Sequence, residues 1–372
     1  MAGIYIHIPF CVTRCVYCDF FSNVRMDKKE AFLEALLREI RLRKEYLKGE
    51  IVRTVYFGGG TPSQLHADDF RRIFDTLTEC FDLSQCEEIT LEGNPEDLTP
   101  EYIGALRELP FNRISMGVQS FDENDLKFLN RRHNAGRALA AVRDCQAAGF
   151  TNISIDLIYG LPGQTLEGWK KNLETAISLD VPHLSSYHLI YEEGTRLYKL
   201  LEAGKVAAID EETSLEMFRM LIASLREAGF QHYEISNFAK EGYYSKHNSS
   251  YWSGEKYLGL GPSAHSFNQE TRSWNIANLQ SYIDGKAEGE TETLNLSERY
   301  NDFILTSLRT MWGLSLSALE STFGQELRDY CLAQAKPHLA TGMLTETENR
   351  LKLSPEGIFV SDGIMSDLMY IE

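Results

Sequence analysis

From the N-terminus to about residue 237, short runs of β-branched and aromatic residues alternate with longer stretches whose apolar positions recur at helical spacing. This is the pattern of a parallel sheet built from βα repeats. Strands are expected at 3–8, 54–57, 88–92, 113–118, 152–158 and 184–189, with 233–236 a candidate seventh. Asp27 to Glu30 reads as a capping box ahead of Phe32, Leu33, Leu36, Leu37 and Ile40, which share one helix face. Thr99 followed by Pro100 reads as an N-cap with proline at the first helical position. Further helices are expected at 67–79, 136–148, 165–179 and 211–229. Six βα repeats suit an α/β fold, either a partial (β/α)6 barrel or an open, strongly curved sheet. In both, the loops at the C-terminal strand ends build the site.

The pattern then changes twice. Residues 238–294 are rich in Gly, Ser, Tyr and Asn and weakly periodic, too long for a mere connection and therefore functional or linking. From 295 to 372, helical patterns at 298–311, 316–323 and 326–340 precede short runs at 351–353 and 358–360. They read as a small helical, winged-helix-like domain with a two-stranded wing. Its 6 Lys and Arg against 11 Asp and Glu argue against DNA reading and favour a packing or lid role. The expected division is therefore a barrel domain (1–237), a connecting segment (238–294) and a small C-terminal domain (295–372).

Charge and cysteines narrow the chemistry. Among 372 residues, 37 Lys and Arg face 54 Asp and Glu, a formal charge of -17, which disfavours a nucleic-acid partner. The opening MAGIYIHIPF lacks a basic region followed by a long apolar stretch, and no run approaches the roughly 18 apolar residues of a membrane span. A cytoplasmic protein with no integral membrane segment is expected. Of seven cysteines, three crowd into eight positions, which fits metal ligation in a reducing compartment better than a disulfide framework. Cys80, Cys86, Cys145 and Cys331 are scattered and read as small buried hydrophobes.

Cys11-x-x-x-Cys15-x-x-Cys18 follows the first expected strand directly. A 4Fe-4S cluster normally takes four thiolates, so three leave one iron open to an outside ligand. Zinc is the alternative and needs a fourth ligand; His7 is the nearest, but strand alternation sets it on the face opposite Ile8. The spacing, with aromatic Tyr17 just before the last cysteine, resembles the radical-SAM superfamily. Later segments agree in order: Val55 to Pro62 (VYFGGGTP), Glu92 in LEGNP, Gln119 in GVQSF and Asp156 in SIDLIYGLPG, each at an expected strand end. Together with Arg131, which is suited to pairing a carboxylate, these polar groups read as a pocket for S-adenosylmethionine (SAM). In the superfamily the glycine motif contacts the methionine amino end of SAM.

The resemblance spans nearly the whole chain and extends to the oxygen-independent coproporphyrinogen III oxidase group, including its small C-terminal domain. By position it implies that Tyr5, Tyr17, Gly59, Gly60, Thr61, Glu92, Gln119, Arg131 and Asp156 contact SAM. Those oxidases carry a further Cys two places after the third cluster Cys, where this chain has Phe20. His247 to Trp252 (HNSSYW) instead matches the HNxxYW motif of the HemW haem-chaperone family, and residues 257–266 resemble its following glycine-rich segment. The resemblance implies a haem-binding protein that carries a 4Fe-4S cluster and SAM, draws on a reductant protein, and passes haem to acceptors such as respiratory enzymes. Imidazole is a good haem ligand and Tyr251 and Trp252 offer flat apolar surface, so His247 is the expected ligand and His265 the reserve. The helix-spaced Met217, Met220 and Leu221 read as core packing. The alternative is an oxidase in which the reduced cluster cleaves SAM and the resulting radical initiates propionate decarboxylation; radical modification of RNA is disfavoured by charge.

Overall fold

A computed structural model describes residues 2–371. Six parallel strands lie side by side in chain order: β1 (Ala2–Ile8), β2 (Val52–Gly59), β3 (Glu88–Gly93), β4 (Arg113–Gln119), β5 (Asn152–Tyr159) and β6 (His183–His188). Their crossovers carry helices α1 (Lys29–Leu42), α2 (Ala67–Cys80), α3 (Pro100–Arg107), α4 (Glu123–Phe128), α5 (Ala135–Ala147) and α6 (Leu166–Ser178), followed after β6 by α7 (Arg196–Glu202) and α8 (Glu211–Glu227). An antiparallel hairpin, β7 (Gln231–Glu234) and β8 (Asn237–Ala239), pairs through β8 with β6. The sheet does not close, as expected for a partial barrel.

Period-2 alternation decides which groups face the interior. On β4, Ile114, Met116 and Val118 join the core beneath the helices, while Arg113, Ser115, Gly117 and Gln119 occupy the other face. The same split runs through β1 (Ile4, Ile6, Ile8 against Gly3, Tyr5, His7) and β3 (Ile89, Leu91 against Glu88, Thr90, Glu92). The outer face is locked by rings such as Phe57, Phe70, Phe74 and Phe111, whose centroids lie 5.0–5.4 Å apart, mostly edge to face.

Thr99 caps α3 as expected, accepting the Tyr102 amide. The capping box at Asp27 does not form. Residues Met26–Lys28 make a 3-10 turn, and both Asp27 carboxylate oxygens are taken by Arg25 at 2.9 Å, so α1 begins without a side-chain cap.

Residues 238–294, anticipated as a connection, carry regular structure. After α9 (Lys246–Trp252), the strand β9 (Lys256–Leu260) pairs parallel to β1; β10 (His265–Phe267), β11 (Thr271–Asn275) and β12 (Glu288–Thr293) then extend the sheet antiparallel, with α10 (Leu279–Ile283) between the last two. A second core, around Tyr300, Ile304, Leu319, Cys331 and Leu351, organises the remainder. It comprises α11 (Leu296–Leu308), β13 (Leu314–Ser315), α12 (Leu316–Phe323), α13 (Gln325–Ala340), β14 (Leu344–Thr347), β15 (Arg350–Leu353) and α14 (Ser361–Asp367). The wing is the β14–β15 hairpin, and 358–360 is not its strand. That run lies in a 3-10 turn, Gly357–Val360, whose first amide is held by the Ser354 hydroxyl.

Candidate functional site

The cysteine loop leaves β1 and is pinned on three sides. Phe10 bridges Asn23, with Cys11 N donating to Asn23 O at 3.0 Å; Val16 N donates to Leu129 O at 3.3 Å; and Leu197 N, at the start of α7, donates to Val16 O at 2.8 Å. Two donors address the sulfurs: Thr61 Oγ1 to Cys11 Sγ at 3.3 Å and Arg131 Nη1 to Cys15 Sγ at 3.2 Å. Burial pushes the Cys11 thiol up and the Cys18 thiol to about 11, so an unligated loop holds these thiols protonated at neutral pH. Among the described residues no three His, Cys, Asp or Glu side chains gather tightly enough to hold a single metal ion. A cubane asks something different, since each thiolate binds its own iron.

Beyond the loop, the residues expected around SAM come together at the C-terminal ends of β1 to β5. Gly59, at φ +104, lies against the His7 ring, where a Cβ would come within 2.5 Å of Nδ1; the next glycine, Gly60, packs on the backbone of Ile8 and Pro9. Glu92 accepts the Tyr56 hydroxyl at 2.6 Å, and burial, reinforced by the charge of Asp156, raises its pKa to about 7. Asp156 is raised to about 6 by burial, opposed by the Ser185 hydroxyl. Arg131 Nη2 donates to Asn94 Oδ1 and to Gly117 O, both at 2.6 Å. Gln119 turns back over Gly117 at φ +69, where β4 skips register against β5. Tyr5 stacks on Tyr56 with centroids 6.1 Å apart, and Tyr17 lies beside Arg131 and Cys15.

This interior fits a zwitterion. Arg131 Nε is buried without a partner among the described residues, near two carboxyl groups that burial has made reluctant to ionise. An ammonium and a carboxylate arriving together supply what each lacks.

His247 is placed differently from expectation. It is buried on α9, with Nδ1 hydrogen-bonded to Thr54 Oγ1 at 2.8 Å and Nε2 to the Tyr251 hydroxyl at 2.7 Å, and its ring stacks on Tyr56 at 5.0 Å. Burial lowers its pKa to about 3, so the ring is neutral, with both nitrogens engaged and none left for an iron. Tyr251 and Trp252 do border a cleft of about 1680 Å³, which is also lined by Phe20 and Phe21 beside the cysteine loop and by Phe303 and Trp312. His265 borders it too.

Residues 5–176 match the Radical SAM superfamily and residues 294–360 the HemN C-terminal domain. "Heme chaperone HemW" of Mycobacterium tuberculosis is 34% identical over 99% of this chain and 94% of its own length. The Bacillus subtilis protein of the same name is 33% identical over 98% of each chain. The chain belongs to the HemW family of the radical-SAM superfamily. In three dimensions it is also similar to HemN, the coproporphyrinogen III oxidase of Escherichia coli described as a radical SAM enzyme. That match has a TM-score of 0.86 at 25% identity, covering 99% of this chain and 90% of the other.

In this HemW-family chain three interior residues carry no role in the motif reading, although two of them lie within its segments: Tyr56, which holds Glu92; Asn94, which orients Arg131 and donates to Thr61 Oγ1 at 3.4 Å; and, outside them, the fully buried Arg113. A signal for Arg113 was present, since it is the first of four alternate non-apolar positions on a strand otherwise apolar. Met217 and Leu221 pack in the core as expected, with Met220 partly buried against it. Cys145 and Cys331 are buried, whereas Cys80 and Cys86 are half-buried.

Proposed function

We propose that this chain is a haem chaperone, with Cys11, Cys15 and Cys18 as ligands of a 4Fe-4S cluster and SAM resting against the open iron. The aromatic-walled cleft beside the cysteine loop carries this reading, because a porphyrin needs broad flat apolar walls and an opening through which it leaves again. Thr61 and Arg131 aim donors at two of the sulfurs, favouring thiolate ligands, while Glu92, Asp156 and Arg131 orient the amino-acid end of SAM. A bound, reduced cluster supplies one-electron chemistry, for which a reductant protein is required. Haem-accepting proteins such as respiratory enzymes are the partners, and the C-terminal unit from about 295 serves as the movable wall of the cleft. Phe20, 63% exposed at the cleft, stands where the oxidases have their additional Cys.

The test is to incubate anaerobically reconstituted protein with haemin and, separately, with coproporphyrinogen, SAM and a reductant. Stoichiometric haem binding with unchanged coproporphyrinogen is expected. Conversion to protoporphyrinogen with SAM consumption would overturn the chaperone reading in favour of the oxidase. As a check on the cluster, Cys15→Ala should lose the brown chromophore and the reduced paramagnetic signal yet still bind haem.

A further inference from the structure

Two imidazoles border the cleft, and they differ in their engagements. His7 Nε2 donates to Phe21 O at 2.8 Å, which leaves Nδ1 to accept the Tyr5 hydroxyl at 3.3 Å. His265 has no hydrogen bond to either ring nitrogen among the described residues; its one ring contact is a stack on Trp274, with centroids 5.7 Å apart and planes at 27°. The residue is exposed on β10. Partial burial, with Arg272 nearby, holds its pKa below the usual histidine value, which keeps a lone pair available at neutral pH.

The glycine-rich segment after HNSSYW fixes this position. A Cβ on Gly259 would lie 2.0 Å from the His265 carbonyl oxygen, so any larger residue pushes β10 off β9. Gly259 N also donates to the Ser266 hydroxyl at 2.9 Å, and His265 pairs with Trp274 across β10 and β11.

The cations around the cleft divide in the same way. Arg53 and Lys246 share Glu87, and Arg272 pairs with Glu292 and Asp302. Arg299 on α11 and Arg350 on β15 pair with no carboxylate among the described residues; Arg350 Nη1 only touches the carbonyls of Trp312 and Gly313, at 3.2 Å each. In a chain of net charge -17, two uncompensated guanidinium groups facing one cleft with a free imidazole suit a flat apolar ligand that bears two carboxylates and a metal.

We infer that haem held in the cleft takes His265 as its iron ligand and directs its propionates to Arg299 and Arg350, while His247 is a positioning residue that fixes Tyr251 in the wall. The inference rests on the haem-chaperone reading. It is tested on the full-length, reconstituted protein titrated with haemin. His265→Ala should shift the Soret band and weaken binding by about tenfold or more, the loss of a single strong contact, and added imidazole should restore the wild-type spectrum. His247→Gln, which keeps a hydrogen-bonding side chain at that place, should leave the Soret position unchanged. Arg299→Gln with Arg350→Gln should weaken haemin about tenfold, yet not weaken haemin dimethyl ester, which carries no propionate charge. If wild-type protein takes up no stoichiometric haemin, the chaperone reading itself fails. If wild type binds but His265→Ala keeps its Soret band while His247→Gln loses it, the assignment to His265 fails and the chaperone reading stands.

Discussion

Glu92 shows how one side chain couples the site to stability. Its carboxyl group is buried at the end of β3, accepts the Tyr56 hydroxyl, and titrates near 7 instead of the ordinary 4.5 because burial and the facing Asp156 penalise its charge. A carboxyl group raised on folding means that the native state binds the extra proton. Its contribution is fully present below about pH 4.5 and is lost as pH rises through about 7. His247 acts in the opposite sense: lowered to about 3, it supports the fold above the ordinary 6.5 and withdraws that support as pH falls. The Glu92 effect is therefore isolated by difference. Without added SAM, Glu92→Gln should gain on wild type as pH rises from 4.5 to 7, by at most about 3 kcal/mol, measured as urea midpoints across that window. A pH-independent difference would mean that Glu92 ionises normally in the folded protein.

At the scale of elements, α9 has only seven residues and is too short to persist alone. Its neighbours hold it: the Glu88 carboxylate on β3 accepts the amides of Lys246 at 3.0 Å and His247 at 2.9 Å, Ser245 caps it, and the His247 ring bridges to Thr54 on β2. His247→Ala should leave the buried Thr54 hydroxyl and the half-buried Tyr251 hydroxyl short of a partner, with a void beside Tyr56. The expected cost is about 3 kcal/mol in urea unfolding; a wild-type midpoint would show that the ring is not structural. This helix also marks the boundary of what was legible in the sequence. The strands of the barrel announced themselves because each alternates locally, and the site residues because they follow strand ends. The Thr54–His247 bond spans 193 positions, and nothing local signals that both ring nitrogens are spent. Strands β9 to β12 were invisible for a similar reason: they are short, largely polar, and made regular by pairing with β1 and with one another. The wing turn at Glu348 and Asn349, both with positive φ, lacks the glycine that usually marks a two-residue hairpin, which is why the wing was placed one run too late.

For the whole molecule, what matters is how the two cores meet, because the cleft lies between them. The joint is at the sheet edge: Ile235 N donates to Arg309 O and Met311 N to Tyr233 O, while Arg309 puts two donors on Glu234 Oε1, at 2.9 and 2.6 Å. Glu234 is 2% exposed, and the Arg309 guanidinium also stacks on Trp252, 4.6 Å from the ring centre. One arginine of the C-terminal unit thus grips both the barrel edge and the cleft wall formed by the HNSSYW helix. Arg309→Met removes the partner of a buried carboxylate, which typically costs about 3 kcal/mol, and Glu234→Gln in the same chain should recover much of that by removing the stranded charge. Because the break falls at the joint, hydrogen exchange should quicken in α11 and α9 while β2 to β5 stay protected, and the rate of haemin release should rise with it. Equal slowing or quickening across both cores would mean that they unfold as one unit, leaving no independently movable wall.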